Sequence, residues 1–248
     1  MCSGVQEGED LWIEEYKCDR EGVLPEEQQP GYEDGKTFLN ILNRERFLSV
    51  KNFLNKKYMR NTNFNELALK AYENAKARGF HKEPHTDAHY MMLIACELAE
   101  AVEADRKGQR ADRKTYNFLL QEYGDPVFKH LFDVYIKDTV EDELADAVIR
   151  LLDYVGAKGL EIPEGFISEE GIKAECDDEC REWFKGRSFA DVIFTSLLND
   201  LDSAIGMPEV KIYAIFVIAE IYGIDLMWHI KEKMEYNELR EYMHGKRY

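Results

Sequence analysis

Along most of the chain the apolar residues return at intervals of three and four, and that spacing predicts one helix after another. From Thr37 to Tyr58 the set Phe38, Leu39, Leu42, Phe47, Leu48, Val50, Phe53 and Leu54 predicts one or two short helices. A helix starts near Asn63, with Glu66 three residues on in the manner of a capping box, and ends at Gly79. A histidine-rich loop, Phe80 to Thr86, leads into a long helix capped by Thr86 or Asp87. That helix runs through His89, Met92, Leu93, Ile94, Leu98 and Val102 to about Lys107, before Gly108 stops it.

A polar connection that includes Gly124-Asp125-Pro126 then predicts a second long helix, from about Val127 to Val155 and closed by Gly156. Residues 156–187 are rich in glycine and charge and read as a loop or a small inserted element. Ser188, with Asp191 as its capping-box partner, opens a helix that continues through Ile193, Leu197 and Leu198 to about Ile205. Two more follow, Glu209 to Tyr222 before Gly223, and Asp225 to about Tyr242. No segment alternates like a strand between hairpin turns, so the fold class is all-α, built around a bundle. The organisation expected is an acidic arm with a short helical extension over 1–60 and one all-α domain over 61–248, with an insertion near 160–187.

Charge narrows the function. A net charge of −17 opposes non-specific attraction to nucleic acid or to an anionic membrane, and no apolar run is long enough to span a bilayer. Neither nucleic acid nor membrane is an expected partner. The acidic start has neither the basic residues nor the apolar run of a secretory signal, which points to the cytoplasm, and the five cysteines read as free thiols there. Cys176 and Cys180 stand four apart but lack the second half of a zinc site.

The candidate chemistry lies on the two long helices. Glu97 and Glu100 are roughly 60° apart around one helix, as are Glu143 and Asp146 around the other, so each pair can reach a common point. Leu93, Ile94 and Ala101 flank Glu97, and Val140, Ile136 and Ala147 flank Glu143, so both pairs fall in apolar arcs. Buried unpaired carboxylates require a cation, and all-oxygen ligands favour Mg²⁺, with Mn²⁺ as a substitute. A solvated acidic face is the other reading of each motif taken singly. Glu103 and Asp153 extend the two stripes, as further ligands, as their supports, or as solvated side chains.

The runs Leu93-Ile94-Ala95-Cys96-Glu97-Leu98-Ala99-Glu100-Ala101-Val102-Glu103 and Lys137-Asp138-Thr139-Val140-Glu141-Asp142-Glu143-Leu144-Ala145-Asp146-Ala147 resemble the MazG-like branch of all-α nucleoside triphosphate pyrophosphohydrolases. The tail is similar too: Gly223-Ile224-Asp225-Leu226, then Lys233-Met234-Glu235-Tyr236-Asn237-Glu238-Leu239-Arg240, then His244-Gly245-Lys246-Arg247-Tyr248. The likeness covers roughly residues 64–248, but the carboxylate motifs stand farther apart than in the compact family pattern.

The resemblance implies a four-helix bundle, a homodimer or homotetramer, and Mg²⁺-dependent cleavage of a nucleoside triphosphate to monophosphate and pyrophosphate. It makes Glu97, Glu100, Glu143 and Asp146 the metal ligands, with Glu100 also the expected base. Lys233, Asn237 and Arg240, one face of the last helix, and Lys246 beyond it are expected on the phosphates. Phe80, His81 and His85 are expected near the base. Two rivals stand beside this reading. A di-iron carboxylate bundle lacks its histidines here, since Glu100 and Asp146 occupy those positions. A non-catalytic helical module would use the acidic face for regulation or partner binding.

Overall fold

The computed structural model describes residues 62–242, which belong to one compact unit. The expected helices between Thr37 and Tyr58, the acidic arm and Lys246 lie outside the described residues. Among the described residues there are ten α-helices and no strand, so the all-α expectation holds. None of these helices is long and apolar enough to cross a membrane.

The helices are α1 (Phe64–Ala77), α2 (Asp87–Arg106), α3 (Arg113–Tyr123), α4 (Phe128–Tyr135), α5 (Val140–Lys158), α6 (Glu169–Glu175), α7 (Asp178–Phe184), α8 (Phe189–Ile193), α9 (Pro208–Ile221) and α10 (Leu226–Glu238). Short side chains start several of them by accepting orphan backbone N–H groups: Asn63 for α1, Thr86 for α2, Thr139 for α5 and Asp225 for α10. Ser188 and Asp191 form the expected reciprocal capping box at α8. Beyond α8 the chain passes through a π-helical turn, Phe194–Leu198, and a 3₁₀ turn, Leu201–Ile205, rather than one continuous helix.

Three further expectations are corrected. The connection after Gly108 contains a full helix, α3, which opens on the Asp112 carboxylate accepting from Thr115 N. The helix expected over Val127 to Val155 is two helices. They part at Ile136–Thr139, where Asp138 takes a left-handed φ of 60°, and the Thr139 hydroxyl both donates to Ile136 O and receives Asp142 N. Gly156 does not end α5, which runs on to Lys158 and closes at Gly159 in the left-handed conformation. Gly156 serves packing instead. A Cβ there would stand 2.8 Å from Ala68 O and 2.6 Å from the Tyr72 Cβ, so its bare backbone is what lets α1 lie close against α5.

Helix α5 is the axis of the fold, packed against α1, α2, α9 and α10. Its Val140, Leu144, Ala145, Ala147, Val148, Leu151 and Leu152 are fully buried. Each large aliphatic contributes about 1.5–3 kcal/mol, more than the ~1 kcal/mol of a helix cap, so packing outweighs capping in holding the axis. Helix α9 is apolar nearly all round, and an inner layer explains it. It packs on α5 on one side and on α6 on the other, where Ile172 and Cys176 close over it. Ile162, Ile167, Ile172 and Cys176, within the segment expected as an insertion, belong to the main apolar cluster. A smaller cluster of Tyr116, Phe128, Leu131, Phe132, Ile136 and Tyr236 joins α3 and α4 to α10, with the Phe132 and Tyr236 rings stacked at 4.3 Å.

Gly156→Ala should destabilise the fold by roughly 1–3 kcal/mol through overpacking, although the same change at an open helix position stabilises by about 1 kcal/mol. Urea unfolding reads the sign, and a raised midpoint would contradict the packing account.

Candidate metal centre

Two helices carry the acidic residues and a third supplies a cation. On α2, Glu97 faces α5 and is buried, while Glu100, three residues on, is exposed. The first turns of α5 present Asp142, Glu143 and Asp146, near the helix N-terminus, where backbone N–H groups favour negative charge. One carboxylate oxygen each from Glu97, Glu143 and Asp146 lies within 4.8 Å of the others, a group that can hold a metal ion. Asp138, Asp142 and Glu143 form a second such group, which shares Glu143.

Glu97, Asp138, Glu143 and Asp146 border a cavity of about 300 Å³, and Asp142 lies behind them, outside its lining. All four expected ligands line it, and so do Lys233, Asn237, Arg240 and Phe80. Glu100 lines the wall without belonging to the tight three-oxygen group. His81 and His85 are not among the lining residues. The His81 Nε2 lies 2.7 Å from Asp153 Oδ1, and His85 pairs with Phe80 O at 2.8 Å while its ring stacks on His89 at 4.2 Å. Asp153 therefore supports the histidine loop while also bordering the cavity. Glu103 is on the outside, paired with Arg106 and Lys107.

Sequence reasoning missed Asp142 and Arg150. Lys233, expected on a phosphate, donates to Asp142 Oδ2 at 2.7 Å and Asp146 Oδ2 at 2.8 Å, with its side chain almost fully enclosed. Arg150 Nε donates to Glu97 Oε1 at 2.9 Å. For Arg150 the signal was its place one turn beyond Asp146 on the same stripe, and for Asp142 the Thr139-x-x-Asp142 cap pattern.

The charges do not balance. Burial, then Asp146 and Asp142, pushes the Glu143 carboxyl up to about 9. Burial and Asp146 raise Glu97 despite Arg150, and burial raises Asp142 to about 6 despite Lys233. Burial pushes Lys233 down, but Asp146 and Asp142 outweigh it and hold the ammonium above the usual lysine range. Among the described residues the Glu143 carboxylate has no hydrogen bond or ion pair, and Asp142 Oδ1 is buried without a partner. An all-oxygen donor set with unsatisfied buried oxygens fits a hard divalent cation.

Comparison with family models, with curated proteins and with solved structures finds no match for this chain.

Two outcomes follow from the charge arrangement. The folded value of Glu143 lies above that of an unfolded glutamate, so its contribution to stability is present below about 4.5 and is lost as pH rises through about 9. In chelator, stability should fall across that window, and Glu143→Gln should flatten the fall, as followed by thermal melting. Lys233→Met leaves Asp142 enclosed without its cation and should cost about 3–5 kcal/mol, with Asp142→Asn added to it recovering part of the loss.

Proposed function

We propose that this protein is a Mg²⁺-dependent nucleoside triphosphate pyrophosphohydrolase of the MazG-like type, cleaving between the α and β phosphates and working on the nucleotide pool of the cytoplasm. One observation carries the reading. A cleft joins a carboxylate cluster that two cations compensate only in part, Glu97, Glu143 and Asp146, to the side chains of Arg78, Asn237 and Arg240 in one space. A ligand that is anionic, metal-binding and larger than a single ion suits both ends, and a nucleotide polyphosphate is such a ligand.

In this reading Glu97, Glu143 and Asp146 hold the metal. Bound Mg²⁺ supplies positive charge against the phosphate oxygens, where negative charge accumulates during cleavage. Arg150 fixes the rotamer of Glu97, and Lys233 fixes those of Asp142 and Asp146, so the donor oxygens are preorganised before substrate arrives. Lys233 thus acts through the carboxylates, and Arg240 and Asn237 face the phosphates. Glu100, on the cavity wall and outside the tight donor group, takes the proton of the attacking water. Phe80 offers an apolar wall to the base.

The expected four-helix bundle corresponds in this reading to α1, α2, α5 and α10. The expected oligomer is a homodimer or a dimer of dimers, and Phe194, Ile205, Met207 and Val210 are exposed apolar side chains available to it.

A panel of ribo- and deoxynucleoside triphosphates with Mg²⁺ should yield pyrophosphate and the monophosphate from at least one member. Glu97→Ala should abolish turnover, and Glu100→Gln should lower kcat about 10²–10⁴-fold with Mn²⁺ affinity retained. Equal inactivity of wild type and Glu97→Ala on every nucleotide would leave the non-catalytic helical module as the better account.

A further inference from the structure

Five basic side chains line the cavity: Arg78, Lys137, Arg150, Lys233 and Arg240. Three are neutralised by the protein itself. Lys137 pairs with Asp138 at 2.9 Å, Arg150 with Glu97, and Lys233 with Asp142 and Asp146. Arg78 and Arg240 form no ion pair among the described residues, in a chain whose net charge is −17. The nearby acid Glu238 does not serve them, since its carboxylate is taken by Lys70 at 3.1 Å.

Both arginines line the cavity, and both are tied to the C-terminal end of α10. Arg78, which closes α1, donates from Nη2 to the carbonyl of Glu238, at the end of α10, and Arg240 follows two residues later. Closing a helix end with a cation is favourable, because the last carbonyls carry partial negative charge. That accounts for one Arg78 donor. Its Nε is buried with no partner among the described residues, and a buried donor left unsatisfied is unfavourable. Arg240 has one long hydrogen bond, 3.4 Å, from Nη1 to Asn237 Oδ1, and its guanidinium lies 5.9 Å from the centre of the Tyr236 ring.

We infer that Arg78 and Arg240 together form the anion-binding end of the cavity and that Arg78, on α1, is a direct ligand of a substrate phosphate. The planar fork of an arginine matches two phosphate oxygens, and bonds to a charged acceptor are the strong ones. Carboxylates at the other end repel a bare anion, so a polyphosphate enters with its free end toward the arginines and its metal-bridged portion toward Glu97, Glu143 and Asp146. The inference takes phosphate as the anion from the proposed hydrolase reading, but its test reads binding without turnover.

The test is titration calorimetry of inorganic tripolyphosphate with Mg²⁺ into the full-length chain, and of Mn²⁺ alone into the same proteins. Arg78→Gln should weaken tripolyphosphate about ten-fold or more and leave Mn²⁺ affinity unchanged, since one charge-assisted bond contributes about 1.5–3 kcal/mol. Arg78→Lys keeps a donor for the Glu238 carbonyl but removes the fork, and should also bind tripolyphosphate more weakly than wild type. Wild-type affinity in Arg78→Gln overturns the inference. So does a parallel loss of tripolyphosphate and Mn²⁺ binding, which would mark Arg78 as only a closure of the helix end. Arg78-dependent binding of tripolyphosphate without pyrophosphate release from any nucleotide would sink the hydrolase reading and leave this site standing.

Discussion

Carboxylates withdrawn from water lose hydration and repel one another, and this fold brings Glu97, Asp142, Glu143 and Asp146 together between α2 and α5 with, among the described residues, only two compensating cations enclosed beside them, Arg150 and Lys233. The arrangement opposes folding, and the packing of α5 has to outweigh it. Seven of its side chains are fully buried, and Gly156 lets α1 approach until an added methyl group would collide with backbone. A set of groups that costs stability in the free protein and satisfies a divalent ion when one arrives is the usual relation between a binding site and its scaffold.

The same scarcity of cations divides the labour among the basic residues of the cavity. Arg150 and Lys233 are tied to acids and shape the donor set, so they have little left to offer a ligand. Arg78 and Arg240 have no such partner among the described residues, and both line the cavity near the C-terminal end of α10. The cavity therefore has an acidic end, where a metal ion could be held, and a basic end suited to an anion, and the proposed hydrolase reading rests on that polarity.

Much of this was legible in the sequence, because helix caps are local. Asn63, Thr86, Ser188 and Asp225 each mark a start within a few residues of where it occurs, and the spacing of Glu97 and of Glu143 with Asp146 places all three on the buried faces that meet. What failed was non-local or ambiguous. Thr139-x-x-Asp142 carries a helix-start pattern, but the apolar rhythm on both sides of Ile136–Thr139 conceals the break. Gly156 and Gly159 are both plausible stops, and only the approach of Ala68 decides that Gly156 stays inside the helix. Arg113–Tyr123 was hidden by its polarity. The partners of Glu97 and Asp142 lie 53 and 91 positions away, and no spacing rule reaches them. Lys233 was placed on the right face of α10, yet the burial that turns it from phosphate ledge to carboxylate support belongs to the assembled core.

The central claim, that Glu97, Glu143 and Asp146 form a divalent-cation centre, is tested most directly by crystals of the full chain grown with Mn²⁺ and measured for anomalous scattering. The account predicts a peak between α2 and α5 within bonding distance of those three carboxylates, with the Lys233–Asp142 pair intact beside it. An anomalous map with no peak there, or a structure in which Glu143 stays without a metal while Mn²⁺ binds elsewhere, would contradict it.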